Sequence, residues 1–206
     1  MKVILINGSP HERGCTFTAL SEVAGALNEG GVETSILHLG TQPISGCLGC
    51  KRCFTTGLCF IDDVVNHFLA LSDGFDGFVF GSPVHYASAS GMISTFMDRV
   101  FYGKNSRFAH KPAAAVVSCR RSGATAAFDR MNKYFAISNM PIVTSQYWNM
   151  VHGNTPDEVR QDLEGMQIMR TLGRNMAWLL HSIEAGKRVG IPLPQIEKRV
   201  STNFIR

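Results

Sequence analysis

The sequence predicts an α/β fold: a doubly wound, five-stranded parallel sheet in the order 2-1-3-4-5, with helices on both faces. Three observations carry that expectation. Short apolar runs alternate with longer segments of helical spacing, the runs are apolar on both faces, and no repeat or low-complexity tract breaks the series. In such a sheet the ligand site lies at the carboxyl ends of the strands.

The elements follow in order. Residues 2–7 are a β-branched run that ends in glycine, the mark of a buried strand. Residues 16–29 place Phe17, Leu20, Val23, Ala24 and Leu27 at helical spacing and stop at Gly30-Gly31. Residues 32–39 read as the second strand, and a loop opened by Pro43 and Gly46 follows. Asp62-Asp63 begins a helix through Leu71, with acidic residues at the end where the helix dipole favours them. Residues 75–81 are the third strand and 87–101 a helix. Residues 112–118, nearly all apolar, are a central fourth strand. Residues 125–138 are a helix and 141–148 the fifth strand. Residues 156–187 are largely helical, with Gly165 and Gly173 as weak points. This gives one domain over 1–187, carrying a cysteine-rich loop at 43–60. The tail at 188–206 has no core of its own and is expected to pack on the domain or on a neighbouring subunit.

Composition bounds the function. A chain of 206 residues suits one well-buried domain, and a net charge of +4 without a basic run argues against nucleic acid while suiting anionic ligands. The opening apolar run is too short for a signal-peptide core, and no stretch approaches a membrane span. A cytoplasmic, reducing location is expected, where six cysteines point to metal or redox chemistry rather than a disulfide framework.

Three loops carry chemistry. The loop after the first strand runs from Gly8 to Thr18 and offers hydroxyls at Ser9, Thr16 and Thr18, with backbone N–H groups at a helix start. That is how a phosphate cradle is built, although a capped helix after a turn reads the same way. The P-loop and dinucleotide patterns are both absent. The loop after the third strand, Gly81 to Tyr86, has a stiffening Pro83 and the flat side chains of His85 and Tyr86. The loop after the fourth strand sets Arg120 and Arg121 between Cys119 and Gly123. A Pro-containing turn and a solvated basic turn are the plainer readings of these two loops. Because they follow strands one, three and four, the three loops meet in this topology.

At this point the chain resembles the flavodoxin-like NAD(P)H-dependent FMN reductases. Gly8-Ser9-Pro10 followed by Gly14-x-Thr16 is similar to that family's opening, whose loop holds the FMN phosphate. The resemblance implies FMN contacts from Ser9, Pro10, His11, Cys15, Thr16, Phe17 and Thr18. His11 and Cys15 stand where the family usually has a basic residue and an asparagine, and Arg13 can supply the missing cation. Ser82-Pro83-Val84, with His85 in a tyrosine's place, resembles the segment that lies along the flavin ring. Pro83, Val84, His85 and Tyr86 are therefore implied to hold the ring, together with Cys119, Arg120, Arg121 and Gly123 at its pyrimidine end. An arginine there would stabilise the reduced anionic flavin. The resemblance continues through Tyr147-Trp148-Asn149 and 162–166.

Cys47, Cys50, Cys53 and Cys59 sit within thirteen residues, at two intervals of two and one of five. Four thiolates this close can close on one centre, with Gly57 turning the chain back and Lys51 and Arg52 offsetting the charge. A four-thiolate zinc site needs the same residues, and free thiols remain a third reading. The spacing resembles the iron-sulfur flavoproteins, a branch of the same group. That resemblance implies a [4Fe-4S] cluster exchanging electrons with FMN. It also implies NAD(P)H or ferredoxin as donor, a small-molecule or protein acceptor, and a homodimer or homotetramer. Protein side chains need supply no nucleophile, since the chemistry belongs to FMN. His38, His67, His110, His152 and His181 form no metal spacing, and Met166, Met169 and Met176 read as core.

Overall fold

Lys2–Asn7 forms β1, buried after its first residue, and leads into α1 (Cys15–Glu29) and β2 (Glu33–His38). The computed structural model describes residues 1–103, 105–195, 197–198, 200–202 and 204; the part of the expected tail at the other positions lies outside the described residues. A short helix α2 (Cys53–Thr56) precedes α3 (Val64–Ser72), and β3 (Gly77–His85) folds back on the two-residue β4 (Ser88–Ala89). Next come α4 (Gly91–Tyr102), a 3-10 turn at Asn105–Phe108, β5 (Ala113–Cys119) and α5 (Ala124–Ile137). The chain then forms β6 (Met150–His152), α6 (Pro156–Gln161) and α7 (Leu163–Arg188).

The strand order is β2-β1-β3-β5-β6, all parallel, with β4 antiparallel to β3 beside this path. With β4 set aside, this is the expected 2-1-3-4-5 order. Alternate residues of each strand feed opposite faces. Ile4, Ile6, Phe78, Phe80, Ala115 and Val117 join the layer of α3, α4 and α5, while Val3, Leu5, Val79, Ala114 and Val116 join that of α1 and α7. Among the described residues no helix is long and apolar enough to cross a membrane.

Three expectations need correction. The helix expected from residue 87 starts at Gly91, because Ser88–Ala89 pair with β3 as β4. The fifth strand lies at Met150–His152 rather than 141–148, of which only Ile142 bridges to Ala113. The Ser145 hydroxyl accepts the Tyr147 N–H at 3.3 Å and folds the segment into a turn before it rejoins the sheet edge. Nor do Gly165 and Gly173 weaken the last helix. The helical run breaks at Asp162, whose side chain accepts the Gly165 N–H and starts α7, and α7 then runs unbroken to Arg188. Gly173 is the seat of α1: a Cβ there would lie 2.7 Å from both Ala26 Cβ and the Val23 carbonyl oxygen. Met166, Met169 and Met176 are buried in the same interface.

Gly173→Ala is expected to destabilise the fold by about 2 kcal/mol, since the obstacle includes backbone that cannot rotate away. Urea unfolding checks this as a lower midpoint at unchanged slope.

Candidate functional site

The loops leaving β1, β3 and β5 are bonded to one another. The Gly8 N–H donates to the Gly81 carbonyl at 2.9 Å, and the Ser90 hydroxyl donates to the Gly8 carbonyl at 3.0 Å. Ser90 also gives its N–H to Ser82 Oγ at 3.0 Å, and its hydroxyl caps α4 by accepting from Ile93. The first loop meets β5 where Thr16 Oγ1 and Ser118 Oγ lie 2.8 Å apart. The second and third loops meet at Gly123, which has φ +88; a Cβ there would press on Val84 Cγ1 at 2.9 Å and Ala87 Cα at 3.0 Å. One continuous surface results, at the carboxyl edge of β1, β3 and β5.

In the first loop, buried Asn7 accepts the Ser9 N–H and donates to the Glu12 carbonyl, while Ser9 Oγ accepts the His11 N–H. His38 Nε2 meets the Ser9 carbonyl at 2.9 Å, bracing the loop from the end of β2. The loop is thus held without a ligand. The start of α1 remains open: Gly14 offers no capping side chain, its first turn has no acidic residue, and no acceptor within the described residues meets the Thr16 or Phe17 N–H. Uncapped N–H groups at a helix start, with hydroxyls of the buried Ser9 and Thr18 nearby in sequence, fit a phosphate ester.

The remaining candidates divide. Pro10 is half-buried and His11 and Arg13 are exposed; Phe17 is half-buried. Pro83, Val84 and His85 belong to β3 itself, because β4 extends that strand into a hairpin. Tyr86 turns the hairpin with φ +57 and is fully exposed. Arg120 and Arg121 are exposed at the mouth of the third loop. Cys119 is buried, and burial pushes its thiol above the ordinary thiol range. Cys15 begins α1 and turns its thiol toward the Gly153 carbonyl at 3.8 Å; burial raises it as well, with Glu158 adding to the shift.

The four clustered cysteines line one small cavity with Leu48, Phe60, Arg99 and Tyr102. Cys47 and Cys50 are exposed, while Cys53 and Cys59 are half-buried against α4. Burial raises the Cys53 thiol, and the other three thiols push it in the same direction. Among the described residues no three His, Cys, Asp or Glu side chains are gathered to hold a metal ion. An all-thiol set around one cavity, without carboxylates in its lining, has the donor chemistry of a thiolate-ligated centre. Leu48, Phe54, Leu58 and Phe60 leave an apolar rim exposed around it.

Sequence reasoning missed Ser90, Ser118 and His38, whose contacts span long sequence separations. It also missed Arg99, whose side chain is fully buried beside the cysteine loop. Tyr147 and Trp148, which stack edge to face, stay half-exposed ahead of β6.

Known proteins resemble this chain in sequence and in fold. Residues 1–155 match the family model described as NADPH-dependent FMN reductase. An iron-sulfur flavoprotein of Methanocaldococcus jannaschii is 31% identical over 192 residues, covering 89% of this chain and all 100% of that protein. A structure of RosB with bound 8-demethyl-8-formylriboflavin-5'-phosphate superposes with a TM-score of 0.67 at 12% identity, covering 100% of this chain and 94% of that one. An archaeal flavodoxin superposes with a TM-score of 0.57 at 14% identity, over 88% of this chain and 99% of that one. At these identities the two structures show the flavodoxin-like fold alone.

Alkylation of the reduced, chelator-treated protein is expected to modify the exposed Cys47 and Cys50 first and Cys119 last. Because raised thiols stay protonated at pH 8, modification of Cys15 and Cys119 should climb only as pH rises further. Peptide mass spectrometry over a pH series reads both expectations.

Proposed function

The chain belongs to the NADPH-dependent FMN reductase family and to its iron-sulfur flavoprotein branch, an FMN oxidoreductase group, and on that premise we propose how its own residues serve the reaction. The observation that carries the reading is the bonded convergence of three loops at one sheet edge, beside a helix start whose N–H groups are free. The first loop would hold the FMN phosphate on the Thr16 and Phe17 N–H groups and on the hydroxyls of Ser9 and Thr18, with Arg13 adding positive charge. Pro10, His11 and Cys15 complete that loop. Pro83 to Tyr86 would line one side of the ring. Arg120 and Arg121 would face the charge that gathers on the reduced ring, with Cys119 and Gly123 shaping the turn that presents them. Bound FMN supplies the redox chemistry, taking electrons in pairs or singly.

Cys47, Cys50, Cys53 and Cys59 would hold a [4Fe-4S] cluster. Their shared cavity and the all-thiol donor set support a thiolate-ligated centre there. The apolar rim around them supports docking of an electron-transfer partner. NAD(P)H or ferredoxin would be the donor, and a small molecule or a protein the acceptor. Residues 1–187 would act as one unit. Exposed Val189, Ile191, Leu193, Val200 and Phe204 of the tail support a homodimer or homotetramer.

The test is anaerobic titration of the FMN-loaded protein. NADPH or NADH is expected to bleach the flavin absorbance. Bleaching by reduced ferredoxin and by neither nicotinamide would replace the reductase reading with that of a single-electron carrier.

A further inference from the structure

Arg99 lies on α4, and its side chain has no solvent exposure. A guanidinium keeps its charge in proteins, so burying one is costly unless every donor is met. Here all five N–H donors are met. Nη1 donates to Asp63 Oδ2 at 2.6 Å and to the Ser45 carbonyl at 3.2 Å. Nη2 donates to Asp63 Oδ1 at 2.9 Å and to the Ile61 carbonyl at 2.8 Å. The fifth donor, Nε, goes to Cys59 Sγ at 3.3 Å.

The acceptors have a pattern. Ser45 stands two residues before Cys47, and Ile61 two residues after Cys59, so one side chain ties the two ends of the cysteine loop together. Asp63, which balances the charge, also caps α3 through the Val65 N–H. The Cys59 backbone is fixed separately: its N–H donates to Asn66 Oδ1 at 2.8 Å, and its carbonyl accepts from Asn66 Nδ2 at 3.1 Å. Cys59 is thus held at both backbone and sulfur, while Cys47 and Cys50 stand exposed. A neutral thiol is a poor acceptor for a buried cation's last donor, whereas a thiolate sulfur is a good one.

We propose that Arg99 is a positioning residue for the thiolate centre: it seats Cys59, the member set apart by the longer interval, and donates a hydrogen bond to its metal-bound sulfur. This rests on the reading of the four cysteines as one iron-sulfur site. A donor to a cluster sulfur stabilises the more negative, reduced state and raises the potential. Lysine cannot reproduce the fork, since it lacks both Nε geometry and the planar pairing with Asp63.

The test compares wild type, Arg99→Lys and Arg99→Met, purified anaerobically, with FMN content and far-UV circular dichroism as the check of fold. Both variants are expected to lose iron to a chelator at least tenfold faster. Their reduction equilibrium is expected to shift tenfold toward the oxidised cluster, ~59 mV lower for a one-electron couple. A folded, flavin-bearing Arg99→Lys protein with wild-type iron release and potential overturns the proposal. If Arg99→Met fails to fold, Arg99→Lys decides, and unfolding of Arg99→Lys as well assigns the residue to the core and also overturns it. Wild type that yields FMN but neither iron nor sulfide overturns the iron-sulfur reading itself, a failure seen before any variant is compared.

Discussion

At the carboxyl edge of the sheet, β1 and β3 leave no room for a side chain between them and the helices above. The Gly8 N–H reaches the Gly81 carbonyl at 2.9 Å. A Cβ on Gly8 would lie 2.7 Å from Ile93 Cβ, and one on Gly81 2.8 Å from Leu20 Cδ1 and 2.9 Å from Thr16 Cγ2. These two glycines let the first turns of α1 and α4 settle directly over the strand ends. From that close approach follow the Ser90 bonds to Gly8 and Ser82, and the contact of Thr16 with Ser118. The open helix start is then aimed over a rigid edge rather than into a mobile loop, which lowers the ordering cost of binding an anion there.

The cysteine loop depends on a different device. It has little apolar cover, and its only regular piece is the four-residue α2. Its ends are held by polar contacts with Arg99, Asn66 and Arg107, all reaching across from neighbouring helices or turns. The carboxyl edge of the sheet is therefore prebuilt by close packing, whereas the cysteine loop is pinned at Cys59 and left open at Cys47 and Cys50.

Much of this was legible in the sequence because it is local. The β-branched run at 2–7 and the apolar run at 112–118 lie close to β1 and β5, since a strand buried on both faces leaves a continuous apolar signal. Asp63 shows as a helix start for the same reason. The fifth strand was misplaced because Tyr147 and Trp148 have strand-forming character, while the turn that lifts them out depends on one hydroxyl, Ser145. Arg99 was illegible for a plainer reason. On a helix between Asp98 and Val100 it reads as a surface cation, and only the fold brings Asp63, Ser45 and Cys59 to it. Ser118 is likewise an unremarkable strand residue until Thr16 arrives from a hundred residues away.

The central claim is that the start of α1, freed by the packing of Gly8 and Gly81, is a phosphate site and that the flavin is held through it. Calorimetric titration of flavin-free protein with FMN and with riboflavin isolates that phosphate. Two or more charge-assisted N–H bonds at a helix start predict that FMN binds at least about 100-fold more tightly than riboflavin, roughly 2.7 kcal/mol. Equal affinities for the two would contradict the account, because the flavin would then be held by its ring alone.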